Sequence, residues 1–278
     1  MIHFSENKVT ITNIDDFNLA ETLNCGQCFR WNQSGNNSFT GIAFSRIIRI
    51  SKGKNTLTLQ GDGVENDFSR IWLNYFDLNT SYRKIKQQLA SLDANLAAAC
   101  QFAPGIRILR QEPWETLCSF IISQNNNIPR IKGIIERFCE LFGNEIAPGY
   151  FAFPSCETVA SLDVSELTKI RCGFRDKYII DAARKVASCA VNFESVKKLP
   201  LNEARSELMK IKGVGPKVAE CTLLYGFHRL DAFPVDVWMR RALSAFFPGK
   251  NPSFFGEFAG IAQQYIFHYS RMNPDLVK

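Results

Sequence analysis

The sequence predicts an α+β fold, an N-terminal antiparallel-sheet domain over residues 1–105 followed by an all-helical domain over residues 106–278. Three observations carry this. Early in the chain, β-branched and aromatic residues cluster in short runs separated by turn-forming segments. From about residue 106 those runs nearly vanish, and apolar residues recur at helical spacing. The helical stretches are joined by short links punctuated by glycine, proline and capping side chains.

In chain order, "KVTITNI", "SFTGIAF", "RIIRIS" and "TLTLQG" read as strands, with "SGNN" and "SKGKN" supplying the turns. Two helical patterns follow, "ENDFSRIWLNYF" and "YRKIKQQLASLDANLAAAC". Later helices are predicted to begin near Pro113, Pro129, Cys156, Arg175, Asn202, Pro216, Asp236 and Ser253. Several of these starts carry a proline, whose missing N–H is not needed in a first turn, or a capping side chain. No internal repeat is visible, which leaves solenoids and propellers unsupported.

At 278 residues, 46% hydrophobic and 22% charged, the chain is long and apolar enough to bury a substantial core. No apolar run approaches the ~20 residues of a membrane span. The start, "MIHFSENKVTITN", lacks the basic and apolar segments of a secretory signal, so a cytoplasmic protein is expected. Nine cysteines are then expected as reduced thiols. The pair in "CGQC" has redox or half-zinc spacing, but no second pair at ligand spacing exists; two small buried thiols flanking a turn is the simpler reading. A net charge of +6 suggests mild attraction to polyanions, and nothing points away from a monomer.

The segment "KIKGVGPKVAEC" concentrates glycine, proline and lysine between two helical patterns. It fails the nucleotide phosphate-loop pattern: one residue separates the glycines, no Ser or Thr follows Lys217, and a helix rather than a strand precedes it. A helix-hairpin-helix remains, with Gly213 and Gly215 expected at positive φ and Pro216 in the first helical position. Free N–H groups and a partial positive charge at the second helix suit a phosphate, and the glycines admit a nucleic-acid backbone. The same residues would also serve an ordinary interhelical turn.

Asp236, in "FPVDVWMRR", lies nineteen residues after Lys217. That combination resembles the helix-hairpin-helix (HhH-GPD) DNA glycosylases with a hairpin lysine. Together with "GQCFRW", "FIISQNNNIPRI", "CGFRDKY" and "IAQQYIF", it makes the chain similar to the 8-oxoguanine DNA glycosylase/AP lyases. The resemblance implies a TATA-binding-protein-like sheet domain, a helical domain with the active site in the cleft, and double-stranded DNA containing 8-oxoguanine as partner. It implies base removal, preferably opposite cytosine, and strand nicking by β-elimination.

By the same resemblance, Lys217 is the nucleophile and Schiff-base former. An unperturbed lysine is almost wholly protonated at neutral pH, so such a nucleophile needs a setting that favours the free amine. A phosphate contact is the plainer alternative. Asp236 would stabilise the charge developing on the sugar, and it also fits a helix N-cap. Cys221 is four residues beyond Lys217, and Gln263 and Phe267 are four apart, so each pair shares a helix face. The resemblance has Cys221 and Phe267 sandwich the extruded base, although core packing alone would also explain them. It has Gln263 bond the base's Watson–Crick edge and the Gly26 carbonyl accept the N7 proton that distinguishes 8-oxoguanine from guanine. Asn125 would fill the vacated gap, Arg130 and Arg175 bond the orphaned cytosine, and Phe174 wedge beside it. Gly213, Val214 and Gly215 would meet the DNA phosphates.

The resemblance implies no required cofactor. An iron–sulfur cluster is excluded because no cysteine follows Cys221. A structural monovalent ion at the carbonyls of Met209, Ile211 and Val214 is implied, as in relatives. Two positions depart from the family pattern: Trp238 stands where the vertebrate type has histidine, and Lys212 replaces a hairpin proline. Competing readings are a monofunctional alkylated-base glycosylase, which needs no hairpin lysine, a non-catalytic DNA-binding module, and a thiol oxidoreductase built on "CGQC".

Overall fold

The structure is a computed structural model and describes residues 1–277. Six strands, β1 (Ile2–Ser5), β2 (Lys8–Thr12), β3 (Trp31–Gly35), β4 (Ser38–Ala43), β5 (Arg46–Lys52) and β6 (Thr56–Gln60), form one antiparallel sheet. Their order is β1-β2-β6-β5-β4-β3. Alternation sets the register: Val9 faces Leu59, Leu59 faces Ile50 and Ile50 faces Phe39, a fully buried row across four strands. These four are the strands legible in the sequence. The other two are edge strands without that alternation, β1 wholly exposed and β3 buried only at Trp31.

"ENDFSRIWLNYF" folds as helix Val64–Asp67, a π turn Phe68–Trp72 and a last helical turn Leu73–Tyr75. "YRKIKQQLASLDANLAAAC" is two helices rather than one. Asp93 adopts an extended backbone after helix Tyr82–Leu92, and its carboxylate caps helix Ala94–Phe102 by accepting from Asn95 N at 2.7 Å. Local competition of this kind is why aspartate starts helices better than it continues them.

The buried side chains form two clusters. One lies between the sheet and the segment after it, around Trp31, Trp72 and Phe76. The other runs through the helices and includes Tyr82, Ile85, Leu89, Leu96 and Ala99. The two clusters interleave along the chain: the 82–102 helices pack in the helical cluster, while Leu109 belongs to the sheet-side one. Phe29, from the sheet side, reaches into the helical cluster and packs edge-on to Phe120 at 5.8 Å.

Helical starts fall at or within two residues of Pro113, Pro129, Cys156, Arg175, Asn202, Pro216 and Asp236. Ser253 is different. It lies in a 3₁₀ segment, Pro252–Phe258, interrupted by Gly256 at φ +66°, and the α-helix begins afterwards as Ala259–Met272. A small hairpin, Glu145–Ala147 with Tyr150–Phe151, lies within the half expected to be all-helical; it is too short to show a strand pattern. Among the described residues no helix is long and apolar enough to cross a membrane.

Candidate active site

Helices Pro113–Ser123, Pro216–Gly226, Val237–Phe246 and Ala259–Met272 converge with the Gly26 loop on a cavity of about 400 Å³. Lys217, Asp236, Cys221, Gln263, Phe267 and Gly26 all border it. Six residues spread over 242 positions therefore meet at one concavity, of a size that suits a single extruded base.

Lys217 is the second residue of its helix, behind Pro216 and half-buried. Its Nζ donates to Ser123 Oγ at 3.2 Å and stands 5.1 Å from the Phe120 ring centroid. Ser123 Oγ in turn donates to the Phe120 carbonyl at 2.9 Å, which aims its lone pairs at the amine. Among the described residues, no carboxylate lies within ion-pair distance of Lys217. Neither Ser123 nor Phe120 was assigned a role from sequence; their contacts to Lys217 span 94 and 97 positions.

Asp236 is the N-cap of helix Val237–Phe246, with Oδ1 accepting from Met239 N at 2.8 Å. The capping reading is correct and leaves the second oxygen unengaged among the described residues. Cys221 is buried, and burial pushes its thiol up to about 11, against the pull of Lys217 and with the help of Asp236 and Glu220. It is a neutral, polarisable wall at physiological pH.

Gln263 is only 4% exposed, and its Oε1 has no hydrogen-bond partner among the described residues. An orphaned buried acceptor costs roughly 1–3 kcal/mol, and this one belongs to a residue that lines the cavity wall. Gly26 sits at φ +91°, where a side chain is strained, with Phe267 and Ile128 beside the position a Cβ would take. Its carbonyl accepts no hydrogen bond among the described residues. Trp238, the departure from the family pattern, also lines the cavity, with the Arg241 guanidinium 5.7 Å from its ring.

A second group lies beside the cavity. Asn125 is exposed at the tip of a turn, at φ +46°, and Arg130 is exposed early in helix Ile128–Phe142. Phe174 is 49% exposed and stacks on the Arg175 guanidinium at 4.3 Å. Arg175 itself is 4% exposed and spent on backbone carbonyls: Nη1 donates to Cys172 at 2.9 Å, Nε to Gln124 at 3.1 Å, and Nη2 to Gln124 and Asn125. Burial, then the nearby charge of Arg130, make it release its proton more readily than a free arginine. It clamps the Asn125 turn from below.

In the hairpin, Gly213 is at φ +78°, and a Cβ there would stand 2.3 Å from the Tyr178 ring, so glycine is required twice over. Gly215 corrects the expectation. Its backbone is extended at φ −96°, ψ −177°, which any residue adopts. Nothing lies within 4 Å of its Cβ position, so its contribution is open space rather than a turn. Val214 is buried between them and donates to the Ile211 carbonyl at 3.1 Å. Asp181, unremarked in the sequence, pins the hairpin by accepting from Lys212 N at 2.6 Å while pairing with Lys185.

The setting of "CGQC" does not favour redox chemistry. Both cysteines are buried, burial pushes Cys25 up to about 12 and Cys28 upward, and all nine thiols are free. A redox cysteine needs an accessible, low-pKa thiolate.

A sheet domain docked on helices, with a hairpin lysine and a helix-capping aspartate on a base-sized cavity, defines a base-excision protein of the helix-hairpin-helix class. Residues 118–253 match the model of the HhH-GPD superfamily base excision DNA repair protein, and residues 9–117 that of the 8-oxoguanine DNA glycosylase N-terminal domain. A solved structure of MBOgg1 with a low-affinity DNA ligand is 42% identical, with TM-score 0.93 over 99% of both chains. The Clostridium acetobutylicum 8-oxoguanine glycosylase/lyase, bound to double-stranded DNA with cytosine opposite 8-oxoG, is 36% identical, with TM-score 0.92 over 99% of this chain and 98% of that one. The N-glycosylase/DNA lyase of Saccharomyces cerevisiae is 35% identical over 250 residues, 80% of this chain and 66% of the relative. The chain belongs to the 8-oxoguanine DNA glycosylase/lyase family of the HhH-GPD superfamily.

Proposed function

We propose that this protein excises 8-oxoguanine from duplex DNA, preferentially opposite cytosine, and nicks the strand through a Schiff base on Lys217. It acts wherever the cell's DNA lies, in the cytoplasm with the nucleoid. The observation that carries the reading is the convergence of Lys217, with no counterion, and the orphaned Gln263 oxygen on one base-sized cavity.

The hairpin N–H groups and the open space over Gly215 seat the phosphates, and the target base swings out at a cost of a few kcal/mol. It enters between Cys221 and Phe267, and Gln263 bonds its Watson–Crick edge. The Gly26 carbonyl accepts the N7 proton of 8-oxoguanine. Guanine presents an N7 lone pair there instead, which opposes the carbonyl lone pair. The Lys217 amine attacks the anomeric carbon as the bond to the base breaks, its electron pair leaving with the base. The Asp236 carboxylate stabilises the positive charge developing on the sugar. Ring opening gives the Schiff base, which acidifies the neighbouring carbon and permits β-elimination of the 3′ phosphate.

On the other strand, Asn125 fills the gap, Phe174 wedges beside it, and Arg130 and Arg175 meet the cytosine. A monovalent ion at the carbonyls of Met209, Ile211 and Val214 would steady the hairpin. The Ile211 carbonyl already accepts from Val214 N, whereas no backbone amide outside the helices reaches the other two.

The test is borohydride trapping on an 8-oxoguanine:cytosine duplex. The intact protein forms a covalent adduct; Lys217→Gln loses it by on the order of a thousandfold or more while duplex binding at matched salt survives. Base release without an adduct would make the enzyme monofunctional and Lys217 a phosphate contact.

A further inference from the structure

Gln263 is followed by a second glutamine whose side chain goes elsewhere. Neighbours on a helix are about 100° apart, so Gln264 leaves the cavity wall that Gln263 faces. It is fully buried. Its Oε1 accepts from the Tyr225 hydroxyl at 2.6 Å, and its Nε2 donates to the Cys25 carbonyl at 3.4 Å, across 239 positions of chain.

That carbonyl belongs to the peptide leading into Gly26. The peptide on the other side of the Gly26 carbonyl, Gln27–Cys28, is held as well, because its Gln27 carbonyl accepts from Gln111 Nε2 at 2.7 Å. Gln27's own amide is anchored to Thr22, Arg107 and Leu109. The Gly26 carbonyl, which accepts no hydrogen bond among the described residues, thus sits between two restrained peptides in a backbone conformation at φ +91°. Tyr225 continues the chain of contacts: its ring stacks on Phe120 at 5.4 Å and 17°, the same ring that faces Lys217 Nζ.

We propose that Gln264, oriented by the Tyr225 hydroxyl, is a positioning residue that fixes the Gly26 carbonyl for selection of 8-oxoguanine over guanine. This rests on the proposed function, since it needs that carbonyl to read N7. The physical demand is specific. A hydrogen bond discriminates by tenths of an ångström, and a carbonyl in a loop keeps that precision only when its flanking peptides are tied to a rigid element. Lys217 chemistry at a site that has already lost its base makes no such demand.

The experiment therefore compares three duplexes, each opposite cytosine: 8-oxoguanine, guanine and a preformed abasic site. Selectivity is the ratio of dissociation constants for the first two, measured in the Lys217→Gln background; strand cleavage is measured at the third with Lys217 intact. Gln264→Met is expected to reduce selectivity about five- to tenfold, the worth of one buried hydrogen bond, and to leave abasic-site cleavage within about twofold. Tyr225→Phe, which keeps the ring stack and removes only the hydroxyl, gives a folded second variant with the same direction of change. Because the two groups act in one chain of bonds, the double variant loses no more selectivity than the worse single one. Retained selectivity in Gln264→Met and Tyr225→Phe overturns the inference, as does abasic cleavage falling in step with selectivity, the mark of a merely structural residue. If the Lys217→Gln parent itself binds 8-oxoguanine and guanine equally, the proposed function fails, and the inference with it.

Discussion

The two sides of the DNA-facing surface are built on opposite terms. On the lesion side, acceptors stand unpaired among the described residues: neither the buried Gln263 oxygen nor the Gly26 carbonyl has a partner, and the half-buried Lys217 amine bonds Ser123 without a counterion. On the side proposed to face the opposite strand, Arg130 is exposed, and the exposed Asn125 and Phe174 rest on Arg175, whose donors are already committed to the Gln124, Asn125 and Cys172 carbonyls. Under the proposed function, the lesion pocket keeps a stability cost that a bound base would relieve, whereas the Arg175 donors of the other side are satisfied as they stand. On that proposal, chemistry and base identity would depend on pre-placed atoms, and reading of the partner base on exposed side chains.

That contrast is sharpest at Gln263. Gln263→Met removes the orphaned acceptor with little change of volume, so thermal stability should rise by up to about 1 kcal/mol. Excision of 8-oxoguanine under single turnover should fall by about tenfold or more. A fall in both would mean that the oxygen has a partner in the folded protein and the pocket is not held in reserve.

On the other side, the two arginines should separate. Arg130→Ala is expected to relax the preference for cytosine by several-fold with stability unchanged, since the side chain is exposed and makes no ion pair among the described residues. Arg175→Ala should relax it too and also cost about 2 kcal/mol in chemical denaturation, because it strands the carbonyls of Gln124, Asn125 and Cys172. Equal activity against all four opposing bases in the intact protein would remove the arginines from base reading altogether.

The smallest effect concerns Cys221. Its thiol is pushed up to about 11 by burial from an ordinary value of 9.0, so the folded state favours the protonated form. That stability is fully present below pH 9 and is lost as pH rises towards 11. Between pH 6 and 8, Cys221→Ala should leave the shape of the excision profile untouched, lowering rate only through weaker stacking. A profile that loses an ionisation in that range would show that the thiol titrates during turnover.

Legibility in the sequence followed the range of the interactions. Lys217, Pro216 and Cys221 are within one helical turn or so of each other, and Asp236 announces itself as an N-cap, so their placement was readable. The central strands were readable because each is buried on one face; β1 and β3 were not, because edge strands lack the alternation. The expected positive φ at Gly215 missed because glycine permits that conformation without requiring it, and only the Tyr178 ring against Gly213 decides which of the two glycines turns. Asp93 lies inside the single helical pattern "YRKIKQQLASLDANLAAAC", and only its extended backbone divides that pattern into two helices.

By itself, then, the sequence determined the order of sheet and helices, the hairpin lysine with its aspartate, and the absence of cluster-forming cysteines after Cys221, all of which are local patterns or counts. Tertiary structure alone decided that Ser123 and Phe120 face Lys217, that Arg175 clamps the Asn125 turn, and that Gln264 ties Cys25 to Tyr225. Those contacts join residues from 39 to 239 positions apart, where no periodicity or spacing rule reaches and only packing of the whole chain brings donor and acceptor within 3.5 Å.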